Sequence, residues 1–220
     1  NGWNIDINNT FGANRFHYRI DGTLNASLGA SSPTSFDAGG YALSQNSTGV
    51  SSSKYYKNIM SGLNIALGAE FRTERYNIFA GEEGSWRNYG VIDSVIDGVV
   101  TQVDVAGLAA GSQGFPGFQP SNELDVYRSN IGAYIDAELD LSERLMVAAA
   151  IRGENYSDFG KTLNYKLASR YEVTENVALR GSFSTGFRAP SLAQAYFNTT
   201  FTDFVGGTPV DKIIAPNNSP

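Results

Sequence analysis

The 220 residues contain no cysteine and a single histidine, His17. Without cysteine there are no disulfide staples, thiol nucleophiles or cysteine-ligated metals, which fits an oxidising compartment without requiring one. Nucleophilic catalysis through histidine would have to use His17, which stands among Arg15, Arg19 and Asp21 with no nucleophile motif beside it. A solvated strand histidine is the simpler reading. Basic charge is also scarce. Sixteen Lys and Arg against 22 Asp and Glu leave a net charge of −6, the reverse of a nucleic-acid footprint. No apolar run is long enough for a membrane helix, which needs roughly 18 residues. Membrane strands stay open, because only alternate residues of such strands meet lipid. No signal-peptide pattern opens the sequence, so the chain is read as an internal or processed piece. Glu82 and Glu83 are neighbours that point apart on an extended chain, and Asp93 to Gly98 lacks calcium-loop spacing. Gly39-Gly40 and Gly206-Gly207 carry no phosphate-loop pattern. No catalytic residue, metal ligand or cofactor is predicted, and the chain is read as a non-enzyme.

What the sequence does have is a period of two. Between Asn130 and Asp140, Ile131, Ala133, Ile135, Ala137 and Leu139 share one face, opposed by Gly132, Tyr134, Asp136 and Glu138. After a turn at 142–144, Leu145, Val147, Ala149 and Ile151 oppose Met146, Ala148, Ala150 and Arg152. After 157–160, Leu163, Tyr165, Leu167, Tyr171 and Val173 oppose Asn164, Lys166, Ala168, Arg170 and Glu172. After 174–176, Val177, Leu179 and Phe183 oppose Arg180, Ser182 and Ser184. Side chains alternate across a strand, and breaks this short join antiparallel neighbours. Upstream, Trp3 to Phe11 and Arg15 to Asn25 read as two strands joined by a tight turn at Gly12-Ala13-Asn14. Residues 26–52, rich in Ser, Gly, Asn and Thr, read as a long loop. Ser53 to Met60 is a weak strand and Leu63 to Phe79 a strong one. Residues 80–125 form a second long loop, with a small hairpin over Val91 to Val105 turning at Asp97-Gly98. Residues 210–220 have loop composition.

The fold class is therefore all-β, an antiparallel up-and-down meander of about eight long strands. A soluble sandwich and an outer-membrane barrel both alternate. Mid-strand charges such as Asp136, Lys166 and Arg180 suit solvent and a wet lumen equally. Length separates the two: globular strands run about 5 to 6 residues and membrane-spanning strands roughly 9 to 11, and these segments match the longer class. The connections point the same way. Those at 12–14, 61–62, 142–144 and 174–176 are short and fall on one side, whereas the others are long except 157–160. Barrels sort short periplasmic turns from long extracellular loops in this manner. Eight strands could close a small barrel whose interior is filled by side chains.

Tyr156-Ser157-Asp158-Phe159-Gly160, followed by Gly186-Phe187-Arg188-Ala189-Pro190-Ser191-Leu192, resembles the barrel of TonB-dependent outer-membrane receptors. The upstream stretches Gly2 to Phe16 and Leu63 to Glu83 are similar to the same family. The resemblance implies a barrel of about 22 strands around an N-terminal plug, of which residues 1–220 would be a single partial domain without the plug, its two long loops extracellular. It further implies residence in the outer membrane of a Gram-negative bacterium, contact with outer-membrane lipid, and a small-molecule nutrient ligand such as a siderophore, cobalamin or carbohydrate. Energy would come from the periplasmic protein TonB acting through the plug. The motif residues are read as structural. Pro190 cannot donate to a ladder, so a strand must end or bend there, and Arg188 is read as pairing with a lumen carboxylate or the plug. Trp86, Tyr89, Phe115 and Phe118 in the second long loop are candidate ligand contacts, since aromatic faces stack on rings and chelates. Packing of that loop on itself is the competing reading. The alternatives are a passive porin-like or small structural outer-membrane barrel, and a soluble β-rich carbohydrate-binding module.

Overall fold

The structure, a computed structural model, describes residues 2–105 and 107–217. Among them the chain runs β1 (Asn4–Asp21), β2 (Ser35–Tyr56), β3 (Gly62–Phe79), α1 (Glu83–Trp86), β4 (Val91–Ile96), β5 (Val99–Asp104), β6 (Leu124–Ser142), β7 (Leu145–Tyr156), β8 (Gly160–Thr174), β9 (Val177–Ser184), α2 (Leu192–Tyr196), β10 (Thr199–Val205) and β11 (Thr208–Ile214). Strands β1, β2, β3, β6, β7, β8 and β9 form one meander sheet in that order, and β4–β5 and β10–β11 are separate hairpins. Both helices are far too short to cross a membrane, which says nothing of strands.

The alternation sets the register. Ile135 pairs with Ile151 and Ile151 with Tyr165, whereas Tyr134 pairs with Arg152 and Arg152 with Asn164. Like rows therefore meet across β6, β7 and β8, and a slip by one residue would put charge into the apolar face. That apolar face is open: Ile131 is 57%, Leu163 66% and Leu179 64% exposed. A sandwich turns its apolar face onto a second sheet; here it is the polar face whose side chains are sheltered.

Four expectations are corrected. First, Gly12-Ala13-Asn14 is not a turn, because β1 is one strand of 18 residues. Its apolar residues change rows, from Ile5, Ile7 and Phe11 to Phe16, Tyr18 and Ile20, and such a change of phase looks like a turn in the sequence. The cause lies on the other face: Phe16 and Tyr18 pack on the Tyr41 ring at 5.1 and 6.1 Å. Second, most of the supposed loop 26–52 is strand, since β2 has 22 residues. Its glycines mark close approach rather than flexibility. A Cβ on Gly40 would collide with the Phe16 carbonyl, and one on Gly49 would come to 2.9 Å from Asn8 Oδ1. Third, merging strands in this way leaves seven in the sheet rather than eight, and three short turns on one side rather than four. Fourth, residues 210–220 are not all loop: β11 pairs with β10 from Thr199↔Ile214 to Val205↔Thr208 around Gly206-Gly207. The hairpin within 91–105 forms where expected, with Asp97 at φ 51° and Gly98 at φ 80°. Two positive φ values are what a two-residue hairpin turn with right-handed twist requires.

The chain divides into two compact units. One comprises Asn1–Gly12, Gln45–Glu74 and Tyr127–Ala189. On its polar face Arg152 sits 2.9 Å from Glu154 and 3.4 Å from Glu70, and Ser47 donates to Glu70 at 2.7 Å. The other comprises Ala13–Ser44, Arg75–Val126 and Pro190–Pro220. It carries a buried cluster of Tyr76, Ile78, Phe118 and Leu192, against which Tyr18, Tyr41, Leu43 and Phe197 pack.

Candidate functional site

The motif stretch in the first unit is a built turn. Strand β7 ends at Tyr156, which pairs with Gly160 at the start of β8. Gly160 has φ 79°, a value that favours glycine. The Ser157 amide donates to the Ser129 carbonyl at 2.9 Å and the Ser129 amide to Ser157 Oγ at 3.0 Å, tying the turn to β6. Asp158 accepts from Arg128 Nε at 2.8 Å. The Arg128 guanidinium also lies 5.1 Å from the centre of the Phe159 ring. The second half of the motif comes back to the first: Phe187 contacts the rings of Tyr156 and Phe159 at 5.9 and 6.2 Å. Residues 186–191 follow the end of β9 without regular pairing. Ser191 then caps α2, its Oγ accepting from the Gln194 amide at 3.1 Å. Arg188, read as pairing with a lumen carboxylate or the plug, is exposed, and no carboxylate among the described residues pairs with it. The cation that organises the motif is Arg128, which sequence reading passes over because it falls at the edge of a strand, outside the motif.

The second unit gathers aromatic rings. Along β3 the row Leu63, Ile65, Leu67 and Phe71 gives way to Thr73, Arg75 and Asn77, while the opposite row becomes Tyr76 and Ile78. Beyond Thr73 the strand has thus left its apolar stretch, and the polar row has turned aromatic. Tyr41 is the hub, with rings of Tyr18, Tyr76 and Phe197 at 6.1, 6.2 and 6.2 Å. Tyr18 donates to Tyr41 at 3.3 Å. Tyr76 is fully buried and its hydroxyl has no partner among the described residues. A hollow of about 450 Å³ lies beside this cluster, lined by Tyr41, Tyr76, Gln194, Phe197, Ile214 and Asn217.

The candidate contacts from the second long loop separate into two pairs. Phe118 is buried in the cluster, with its ring 6.4 Å from Tyr18 and 6.2 Å from Phe197. Trp86 is half-buried and its indole donates to the Gly81 carbonyl at 3.2 Å, closing the loop on itself. Phe115 lies 5.2 Å from Tyr18 and stays 39% exposed. Tyr89 is exposed under the Arg87 guanidinium at 5.3 Å. Arg87 in turn donates to Glu83, a bond that pushes the arginine pKa up and keeps the cation over the ring. Buried Asn25 holds the base of this loop, its amide donating to the Gly84 and Arg87 carbonyls at 2.9 Å. Tyr18, Tyr41, Tyr76 and Phe197 are not singled out by the sequence. Tyr18 and Tyr76 fall in segments that read as strands, where an aromatic at period two reads as wall, and Tyr41 falls in a stretch that reads as loop.

A family model described as TonB dependent receptor-like, beta-barrel, matches residues 1–218. Over 66 residues the chain is 33% identical to the vitamin B12 transporter BtuB of Vibrio vulnificus (strain CMCP6), a match covering 30% of this chain and 11% of that protein. The crystal structure of the siderophore receptor PirA from Acinetobacter baumannii shares the fold, with a TM-score of 0.55 at 12% identity, over 96% of this chain and 27% of that one. The chain thus corresponds to a fraction of the length of either relative. With the meander in place and the family match running almost from end to end, the chain belongs to the TonB-dependent receptor-like β-barrel family.

Proposed function

We propose that this segment is barrel wall and loop base of an active-transport receptor in the outer membrane of a Gram-negative bacterium. Its ligand is a scarce small-molecule nutrient, and its energy comes from TonB acting through a plug domain. Family membership supports this reading, as do the names of its relatives, a vitamin B12 transporter and a siderophore receptor. The observation that carries the ligand part is the aromatic row of the second unit. Where the polar row of a wet lumen would continue, Tyr41 and Phe197 instead line a hollow of about 450 Å³ together with Gln194. That size falls within the roughly 300 to 1,000 Å³ of small-molecule sites, which pair apolar lining with a few polar groups. Phe115 and Tyr89 offer exposed rings in the same unit, and the ligand class that fits is one with a planar or apolar face.

The test is nutrient-limited growth and radiolabelled uptake, with siderophores, cobalamin and carbohydrates offered in turn. Uptake of one class disappears when the receptor or TonB is deleted. Tyr41→Ala, which removes a stacking ring of about 1.4 kcal/mol, lowers it about tenfold at equal receptor abundance, and Tyr41→Phe restores most of it. Uptake that survives TonB deletion would sink the active-transport reading. Uptake indifferent to Tyr41→Ala would remove the hollow from the ligand path.

A further inference from the structure

The hollow beside Tyr41 has no charged side chain in its lining. Tyr41, Tyr76 and Phe197 supply rings, Ile214 an aliphatic wall, and Gln194 and Asn217 two amides. The cations of the second unit are all engaged elsewhere. Arg15 lies 4.2 Å from the centre of the Phe79 ring, Arg19 is tied to Asp21 at 3.3 Å and Arg75 to Asp125 at 2.7 Å. Arg87 donates to Glu83, and Lys212 to Asp203. An anionic chelate entering the hollow would give up water and meet no opposite charge. The two amides, in contrast, keep hydrogen-bonding capacity in reserve. Gln194 Oε1 caps α2, accepting from the Ser191 amide at 2.9 Å and from the Ser191 hydroxyl at 3.3 Å. Its Nε2 donates to nothing among the described residues, so its two N–H groups remain to be used. Asn217 is the complement: its nitrogen donates to the Gln194 carbonyl at 2.8 Å, and its Oδ1 is left as an acceptor. The Tyr41 and Phe197 rings stand 6.2 Å apart at 88°, so they form a corner rather than a stack.

Resting on the transport reading above, we infer that the hollow holds one pyranose unit of a neutral oligosaccharide. A pyranose ring has an apolar C–H face, hydroxyls that both donate and accept, and no charge. Its C–H face lies on Tyr41 with one edge against Phe197, as aromatic faces favour. One hydroxyl accepts from Gln194 Nε2 and another donates to Asn217 Oδ1. The same lining selects against uronic acids and anionic chelates, because their charge would stay unpaired.

The test is calorimetric titration of the full-length receptor in a polyoxyethylene detergent, which has no sugar headgroup. The probes are maltotriose, cellotriose, xylotriose and, as the anionic counterpart, trigalacturonic acid. At least one neutral trisaccharide binds wild type, and trigalacturonic acid binds at least about tenfold more weakly. Gln194→Glu keeps the oxygen that caps α2 and removes the free N–H groups. It weakens the neutral sugar about tenfold with an unchanged melting temperature. Asn217→Ala removes the acceptor and acts in the same direction. The comparison of neutral and anionic sugars on wild type needs no variant and stands in if either assembles poorly. The inference is overturned if no neutral trisaccharide binds, if trigalacturonic acid binds as well as they do, or if Gln194→Glu and Asn217→Ala both bind like wild type. A ferric chelate whose TonB-dependent uptake falls in Tyr41→Ala, with no sugar bound, would remove the sugar and leave the transport reading standing. Uptake that survives TonB deletion strikes the transport reading itself, so the two failures are told apart.

Discussion

Arg128 on β6 donates to Asp158 in the β7–β8 turn at 2.8 Å and stands 3.5 Å from Glu74 on β3, with its own side chain 2% exposed. One buried cation thus joins two strands and a turn that are far apart in sequence. Removing it leaves two carboxylates facing each other in a sheltered place, a loss of about 3 to 5 kcal/mol. Arg128→Met is expected to lower the unfolding midpoint of the detergent-solubilised receptor and to open the 157–159 turn to protease. Asp158→Asn should cost less, because Glu74 still balances the charge. If the two variants unfold alike, at the wild-type midpoint, Arg128 is not the tie described here.

The two halves of the family motif touch through rings, Tyr156 to Phe187 at 5.9 Å and 68°. Edge-on pairs of this kind couple by about 0.5 to 1.5 kcal/mol beyond the area they bury. A double-mutant cycle with Tyr156→Leu and Phe187→Leu, read by chemical unfolding, should return a coupling in that range. Strict additivity would mean that the motif halves are neighbours without being partners.

These contacts show what the sequence can and cannot reveal. The meander from β6 to β9 is legible because its rows keep one phase: Ile135, Ile151 and Tyr165 stay on one face through three strands. The N-terminal part misleads where a strand's surroundings change along its length. Phe16 and Tyr18 continue β1 on the opposite row because that row meets Tyr41, and period-two reading cannot foresee which face becomes covered. Strand β2 is hidden because neither of its rows is apolar for long. The aromatic hollow is invisible for a further reason. Tyr41, Tyr76 and Phe197 are separated by long stretches of chain, and only the strand order brings the first two side by side.

The corrected course of β1 and β2 has its own test in two glycines. A methyl on Gly12 would have nothing within 4 Å, whereas a methyl on Gly40 meets the Phe16 backbone. Gly12→Val should be accepted within about 0.5 kcal/mol, since valine suits an extended strand and not a tight turn. Gly40→Ala should cost about 1 to 3 kcal/mol by forcing β1 and β2 apart. The measurement is folded receptor yield and unfolding midpoint for each variant. A damaging Gly12→Val with a harmless Gly40→Ala would restore the turn at 12–14 and the loop that follows it.

Tyr18 and Tyr76 carry the same hydroxyl in opposite circumstances, and phenylalanine at each position separates them. The Tyr76 hydroxyl is fully buried without a hydrogen-bond partner among the described residues. The Tyr18 hydroxyl donates to Tyr41 at 3.3 Å. A hydrogen bond made on folding contributes about 0.5 to 1.5 kcal/mol, whereas a polar group buried without one costs about 1 to 3 kcal/mol. Removing the two hydroxyls should therefore have opposite signs, although both variants keep the ring and its neighbours. Tyr76→Phe should leave the receptor as stable as wild type or more so, by about 1 kcal/mol, because an unpaired oxygen leaves the cluster. Tyr18→Phe should lose about 0.5 to 1.5 kcal/mol, since Tyr41 gives up the donor that its oxygen accepts from. Chemical unfolding midpoints of the two variants, with near-ultraviolet circular dichroism to show that the rings stay packed, make the comparison. A Tyr76→Phe variant less stable than Tyr18→Phe, with the ring signal intact, would mean that the Tyr76 hydroxyl is satisfied in the folded receptor and that the cluster holds a polar tie rather than an apolar centre.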